Sequence, residues 1–369
     1  MGGAAAHASV AAVAVRPGVP DSLHRTTLSL QEPGSDEVLV ETIRVGVCGT
    51  DREIMRGEFG TPPTGSAALV LGHEVLGRIV ATGAEVQGLR PGALVSATVR
   101  RPDGCPACQA GQPDMCLWRE YTERGIAGAH GFMVERFVEQ ERFLVPIPAE
   151  IEAIGVLTEP LTVVEKAVRQ ADLIQRRLAY GWAPRTAVVL GAGPIGLLGT
   201  MLLRSRGVEV VTVARTPAPN RAADLVAACG ARYVSSREQS VFELGASSDR
   251  IDLILESTGA SIAAFEAMQI LGTNGVLVLL SLTGGDHTAD VPTDRINREL
   301  VAGNKTVVGS VNAGFIDFAT AVDTLGRFER LWPGLTARLI TTRISITDDI
   351  APIVAKSGDE VKMVIEFDR

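Results

Sequence analysis

RTAVVLGAGPIGLLGTMLLRSRGVEVVTVAR, residues 185–215, decides the fold. An apolar run ending at Leu190 reads as a buried strand. Gly191-Ala192-Gly193-Pro194-Ile195-Gly196 then fits G-x-G-x-x-G, and an amphipathic stretch and a second apolar run follow. A glycine turn between strand and helix is the setting that gives this motif its meaning. Gly191 permits the tight turn, Gly193 lets backbone approach a pyrophosphate, and Gly196 lets helix and strand pack closely. The helix start would offer free N–H groups and the positive end of its dipole to the phosphates.

The end of the second strand bears on the nicotinamide cofactor. NAD sites usually place Asp or Glu there for the ribose 2′-hydroxyl. This chain has Val213-Ala214-Arg215-Thr216 instead. Arg215, helped by Thr216 and Arg221, suits a 2′-phosphate. NADP is the expected cofactor, with NAD open as a second one. The other reading of Arg215 is a solvated surface side chain.

Outward from this segment, IDLILEST (251–258), GVLVLLSL (275–282) and KTVVGSV (305–311) are further apolar runs. Their alternation with helical stretches predicts a doubly wound parallel sheet. The long amphipathic stretch from residue 155 reads as a helix. Before it the character differs. EVLVETIRVGV (37–47) alternates apolar and polar, and LVLGHEVLGRIVATG (69–83) and RPGALVSATV (90–99) are glycine-punctuated β structure. The expected fold class is α/β, a β-rich domain joined to a dinucleotide-binding one. The predicted division is 1–170 with a return of 311–369, and 171–310 for the dinucleotide domain. KMVIEF (362–367) is the returning strand.

A chain of 369 residues is about the length of two domains. With a net charge of −8 and 4% aromatic residues, nothing favours nucleic acid or an anionic membrane. The apolar start, MGGAAAHASVAAVAV, lacks a basic leading segment. It is read as a ragged tail and a first strand, not a signal peptide. The 5 cysteines, an odd number with three clustered, suggest metal ligands in a reducing compartment. A cytoplasmic protein is expected.

Two constellations carry metal chemistry. Cys105, Cys108 and Cys116 form a structural-zinc pattern lacking one ligand, and Asp103 is placed to supply it as an oxygen donor. The alternative is a metal-free lobe with three buried thiols. The second set is dispersed: Cys48 in GVCGTD, His73 and Glu74 in LGHEVLG, and Glu159 in LTEP. Thiolate, imidazole and carboxylate together make the ligand set of a catalytic zinc with an open position.

GVCGTD, GHEVLG, the CPACQAGQPDMC lobe and GAGPIG, in this order, resemble the medium-chain zinc dehydrogenases. The resemblance implies a GroES-like catalytic domain at both chain ends and a Rossmann domain between them. Within that group the chain is similar to the archaeal and bacterial glucose dehydrogenases. Val99-Arg100-Arg101-Pro102, the stretch from Tyr121 through Gly131, Gly309-Ser-Val-Asn312 and the terminal strand carry this likeness. It implies oxidation of D-glucose, and of other aldoses, at C1 to the lactone. It places Cys48, His73 and Glu74 at zinc positions, and Glu159 at the metal-near carboxylate that binds directly or through water. Thr50 resembles a proton-relaying hydroxyl. Glu123 and Asn312 resemble partners of sugar hydroxyls, and Asn312 a cofactor contact as well. Homodimers or homotetramers are implied. Two departures, Val99 where the family has Asn and Val163 where some relatives have an acid, keep another polyol or sugar intermediate open as substrate. A non-catalytic NADPH-binding protein is the reading from another class.

Overall fold

The computed structural model describes residues 9–248 and 250–367. The expected ragged tail, with His7, lies outside the described residues. The chain divides into two units. The first comprises Met1–Glu159, Asn312–Gly326 and Ile340–Arg369; the second comprises Pro160–Val311 and Arg327–Leu339.

The second unit holds a six-stranded sheet. From one edge the order is Arg232–Ser235, Glu209–Ala214, Thr186–Leu190, Leu253–Glu256, Val276–Leu279 and Thr306–Gly309. Every pairing is parallel. Numbered along the chain, that order is the doubly wound one, which reverses beside the strand Thr186–Leu190. Val188, Leu190, Val213, Ile254 and Leu277 pack in one core. Strands covered on both faces explain the unbroken apolar runs seen in the sequence.

The first unit is β-rich, as read from the alternation. Its main sheet has seven strands, with Glu37–Val47 at the centre. This strand pairs antiparallel with Glu74–Thr82, Arg136–Gln140 and the returning strand Lys362–Glu366. Val38, Val40, Val45, Val75, Ile79, Phe137, Met363 and Ile365 share the core beneath. The segment after Cys48 is the short helix Gly49–Met55.

A buried ion cluster closes one part of this unit. Glu139 is paired with Arg101 and with Arg124, whose Nε donates to Oε2 at 3.0 Å. Arg124 also lies 5.0 Å from the Phe132 ring centre. Burial alone would raise the Glu139 carboxyl; the Arg124 and Arg101 guanidiniums overcome it and hold the group below its ordinary value. Removing one partner of a buried pair leaves uncompensated charge, at about 3–5 kcal/mol. Glu139→Gln is therefore expected to lower the unfolding free energy by about that amount at neutral pH. A depressed pKa stabilises above the ordinary carboxylate range and is lost as pH falls through the folded value. Thermal melts from neutral pH down to about pH 3 should show the gap between wild type and variant closing. A constant gap would mean the charge of Glu139 is not what stabilises.

Candidate metal centre and active site

Cys48 ends the central strand region and precedes the helix Gly49–Met55; Gly72 and His73 precede the next strand. Asp51 joins the two loops. Its Oδ2 accepts from the Cys48 amide at 2.9 Å and its Oδ1 from the Gly72 amide at 3.1 Å. Asp51 is fully buried, so these bonds form away from competing water. Gly72, at φ +88°, makes the turn that brings His73 inward.

The result is a compact donor set. One ligand atom from each of Cys48, His73 and Glu74 lies within 4.8 Å of the others. Cys48 Sγ and His73 Nε2 are 3.1 Å apart. A tetrahedral zinc, with Zn–S about 2.3 Å and Zn–N about 2.0 Å, separates such atoms by about 3.5 Å, so a few tenths of an ångström accommodate it. Among the described residues His73 Nδ1 is buried with no hydrogen-bond partner, and it faces Asp51 Oδ1 at 3.8 Å. A metal-bound imidazole characteristically turns its other N–H toward a carboxylate, so the residues fit a zinc. Burial would lower the His73 pKa, but Cys48 and Asp51 hold it well above its usual value. Burial raises the Cys48 thiol, with His73 pulling the other way. Glu159 stands outside the tight group yet senses it. Burial pushes its carboxyl up to about 7, opposed by His73 and reinforced by Glu74. Thr50 sits in the first turn of the helix beside Cys48.

Glu74 carries a partner the sequence did not suggest. Its carboxylate pairs with Lys362, and both side chains are almost wholly buried. They meet over Gly46, which pairs with Glu74 on one side and with Val364 on the other. A Cβ at Gly46 would fall 1.9 Å from Glu74 Oε2 and 2.9 Å from Lys362 Cε.

Glu123 and Asn312, far apart in sequence, are in contact: Asn312 Nδ2 donates to Glu123 Oε1 at 2.8 Å. Asn312 holds φ +58°, a left-handed conformation that Asn tolerates better than most residues. The Glu123 loop also packs on the metal loop. A Cβ on Gly125 would come within 2.5 Å of the Gly72 carbonyl oxygen.

In the lobe, donor atoms of Asp103, Cys105, Cys108 and Cys116 lie within 4.8 Å of one another. The Cys105 and Cys116 sulfurs are 3.8 Å apart, close to the spacing that two ~2.3 Å bonds at a tetrahedral ion produce. Asp103 accepts from the Cys116 thiol at 2.7 Å, and the Leu117 amide donates to Cys105 Sγ. The carboxylate stands where a fourth thiolate would.

At the dinucleotide motif, Gly191 has φ +107°, and a Cβ on Gly196 would meet the Gly191 carbonyl oxygen at 2.0 Å. Nothing lies within 4 Å of a Cβ built on Gly193. Gly193 caps the helix Pro194–Ser205 without a side-chain hydrogen bond, so open space meets free amides. Ala192, Pro194 and Ile195 are half-buried around it. Arg215 and Thr216 are exposed just past the second strand, and the Thr216 carbonyl is pinned by the Tyr233 hydroxyl at 2.7 Å.

Residues 34–149 match the family model of the alcohol dehydrogenase GroES-like domain, and residues 152–367 match that of the glucose dehydrogenase C-terminus. The chain belongs to the glucose dehydrogenase family. A glucose 1-dehydrogenase of Methanocella arvoryzae is 40% identical over 96% of this chain and 99% of its own length. That of Thermoproteus tenax is 38% identical over 96% and 99%. The solved Haloferax mediterranei glucose dehydrogenase, in complex with NADP, Zn and gluconolactone, superposes with a TM-score of 0.88. It is 34% identical, over 97% of this chain and 99% of that one. The family assignment and the α/β fold class, GroES-like plus Rossmann, accord with the sequence reading. Among the described residues no helix is long and apolar enough to cross a membrane.

Three neighbours of the site escaped the sequence. Asp51 lies inside the quoted GVCGTD motif, Lys362 inside a strand, and Arg100 inside a segment quoted only for likeness. His130 Nδ1 accepts from the Val70 amide at 3.2 Å. Cys229 is buried and donates to the Val226 carbonyl.

Proposed function

We propose that this chain catalyses the zinc-dependent oxidation of D-glucose at C1 to the lactone, passing hydride to NADP, with NAD as a second acceptor. The observation that carries this is the convergence of Cys48, His73 and Glu74 on one buried point, in a chain similar over its length to glucose 1-dehydrogenases. Residues 1–170 and 311–369 would form the catalytic domain and 171–310 the cofactor domain.

Cys48, His73 and a carboxylate of Glu74 or Glu159 would hold the zinc. When bound, zinc supplies Lewis acidity at the C1 oxygen and the nicotinamide accepts the hydride. Asp51 keeps the ligand loops in register. The Thr50 hydroxyl takes the proton from the sugar and hands it outward. Glu123 accepts from a sugar hydroxyl and Asn312 fixes the carboxylate, also bordering the cofactor. The backbone from Gly191 through Gly196 cradles the pyrophosphate. Asp103, Cys105, Cys108 and Cys116 would hold a structural zinc. We further propose a cytoplasmic homodimer or homotetramer.

The test is the purified enzyme with glucose and NADP, read by NADPH absorbance and by lactone identification. Turnover of another polyol with none of glucose would overturn the substrate. Val99, buried where the family has Asn, favours a shifted sugar range, so a panel of aldoses belongs in the same assay.

Arg215→Ala is expected to raise the KM for NADP by about 10- to 100-fold, since a hydrogen bond to a charged group contributes about 1.5–3 kcal/mol. The KM for NAD should not change. Equal KM values for NADP in variant and wild type would make Arg215 a solvated surface residue.

A further inference from the structure

The guanidinium of Arg100 is engaged on every side. Its side chain is 5% exposed. Nε and Nη2 both donate to Glu123 Oε1, at 3.1 and 3.0 Å. Nη1 donates to the Pro113 carbonyl at 3.2 Å and more weakly to that of Asp114 at 3.4 Å. Its flat face stacks 3.6 Å from the centre of the Tyr121 ring. The arginine is thus clamped between the carbonyls just ahead of Cys116 and the aromatic ring, and Glu123 is held from that platform.

The pattern on Glu123 is lopsided. Three N–H groups, two from Arg100 and one from Asn312, converge on Oε1. Among the described residues no donor meets Oε2. A carboxylate has lone pairs on both oxygens, so this arrangement spends one oxygen on the protein and leaves the other as an acceptor of fixed direction. Strand pairing adds to the fixation, because Arg100 pairs with Glu123 in a short antiparallel ladder. A free Glu side chain has several rotamers and would lose that freedom on meeting a sugar; one already held does not.

We propose that Arg100 is a positioning residue of the sugar site, which aims Glu123 Oε2 at one hydroxyl of the substrate and so sets both the affinity for the sugar and the discrimination against analogues lacking that hydroxyl. This rests on the reading of Glu123 as a sugar partner. Lysine cannot replace it fully: an ammonium is a compact point charge that cannot hold the carboxylate and the lobe carbonyls in one rigid plane.

The experiment compares wild type, Arg100→Lys, Arg100→Met, Glu123→Ala and the Arg100→Met/Glu123→Ala double variant. Each is assayed with glucose and with the set of monodeoxyglucoses at saturating NADP, with NADP affinity and thermal melting measured alongside. Arg100→Met is expected to raise the sugar KM about tenfold or more, the loss attending one charge-assisted hydrogen bond. The KM for NADP should stay as it was. One deoxy sugar, disfavoured by the wild type, should lose its handicap in Arg100→Met and in Glu123→Ala alike. The double variant should be no worse than Glu123→Ala, because the two residues act as one unit. Arg100→Lys should fall between wild type and Arg100→Met, and it carries the test if Arg100→Met does not fold.

If Glu123→Ala leaves the sugar KM and the deoxy discrimination unchanged, the reading of Glu123 fails. If Glu123→Ala has its effect while neither arginine variant alters deoxy discrimination, or the effects simply add, Glu123 stands and the role of Arg100 is overturned.

Discussion

Replacing His73 with Ala should lower kcat/KM for glucose oxidation on the order of a thousandfold, since Lewis-acid polarisation is worth several kcal/mol and each 1.36 kcal/mol is tenfold. The geometry explains why so much rests on one imidazole. His73 Nε2 lies 3.1 Å from Cys48 Sγ, and both loops are tied by a single buried Asp51. Alanine removes a neutral nitrogen donor that neither Thr50 nor Glu159 can replace. Zinc per chain, by elemental analysis, should fall by one equivalent. Cys48→Ala should act the same way, and the double variant should be no worse than either, because ligands of one ion fail together. NADPH binding, followed by fluorescence, should persist, since the Gly191–Gly196 loop belongs to the other unit. Near-normal turnover by a zinc-free His73→Ala protein would remove the metal from the mechanism.

How much of this could be read without coordinates depends on how local each feature is. Gly191 through Gly196 is legible because all its requirements fall within six neighbours: one positive φ, one open face and one close packing contact. The parallel sheet is legible for a related reason, since strands buried on both faces must be apolar throughout. Cys48, His73 and Glu74 were legible as one ligand set, but the contacts that bring them together were not. They depend on the antiparallel pairing of Glu37–Val47 with Glu74–Thr82 and on two amide bonds to Asp51. Asp51 itself looks like any acidic residue in a helix's first turn. Arg100 and Glu123 sit on strands too short to show a period, of two and three residues. Lys362 was the least legible. A lysine opening an apolar strand reads as a solvated end, since Lys is almost never fully buried without a partner. Its partner, Glu74, lies at the other side of the chain's connectivity, and only the sheet order brings them together.

Lys362→Met should therefore be among the most destabilising single changes outside the ligands. It leaves the Glu74 carboxylate buried beside Gly46 with its countercharge gone, a loss of about 3–5 kcal/mol. For a unit of this size that is a fall in Tm of about 10 °C or more. The effect should not be one of lost volume, because Met fills nearly the same space as the lysine stem. The decisive comparison is a double replacement. Lys362→Met with Glu74→Gln removes both charges and should recover much of the lost stability, since a neutral buried pair avoids the desolvation that one unpaired ion suffers. Activity cannot report on this, because Glu74 belongs to the metal cluster; calorimetry of the zinc-free protein can. Gly46→Ala tests the same contact from beneath. Its methyl would overlap Glu74 Oε2 at 1.9 Å, so the pair must part or the central strand must shift. It should destabilise the wild type more than the Lys362→Met/Glu74→Gln background, where no ion pair needs to be preserved. If the double replacement is as unstable as Lys362→Met alone, the pair contributes through packing and not through charge.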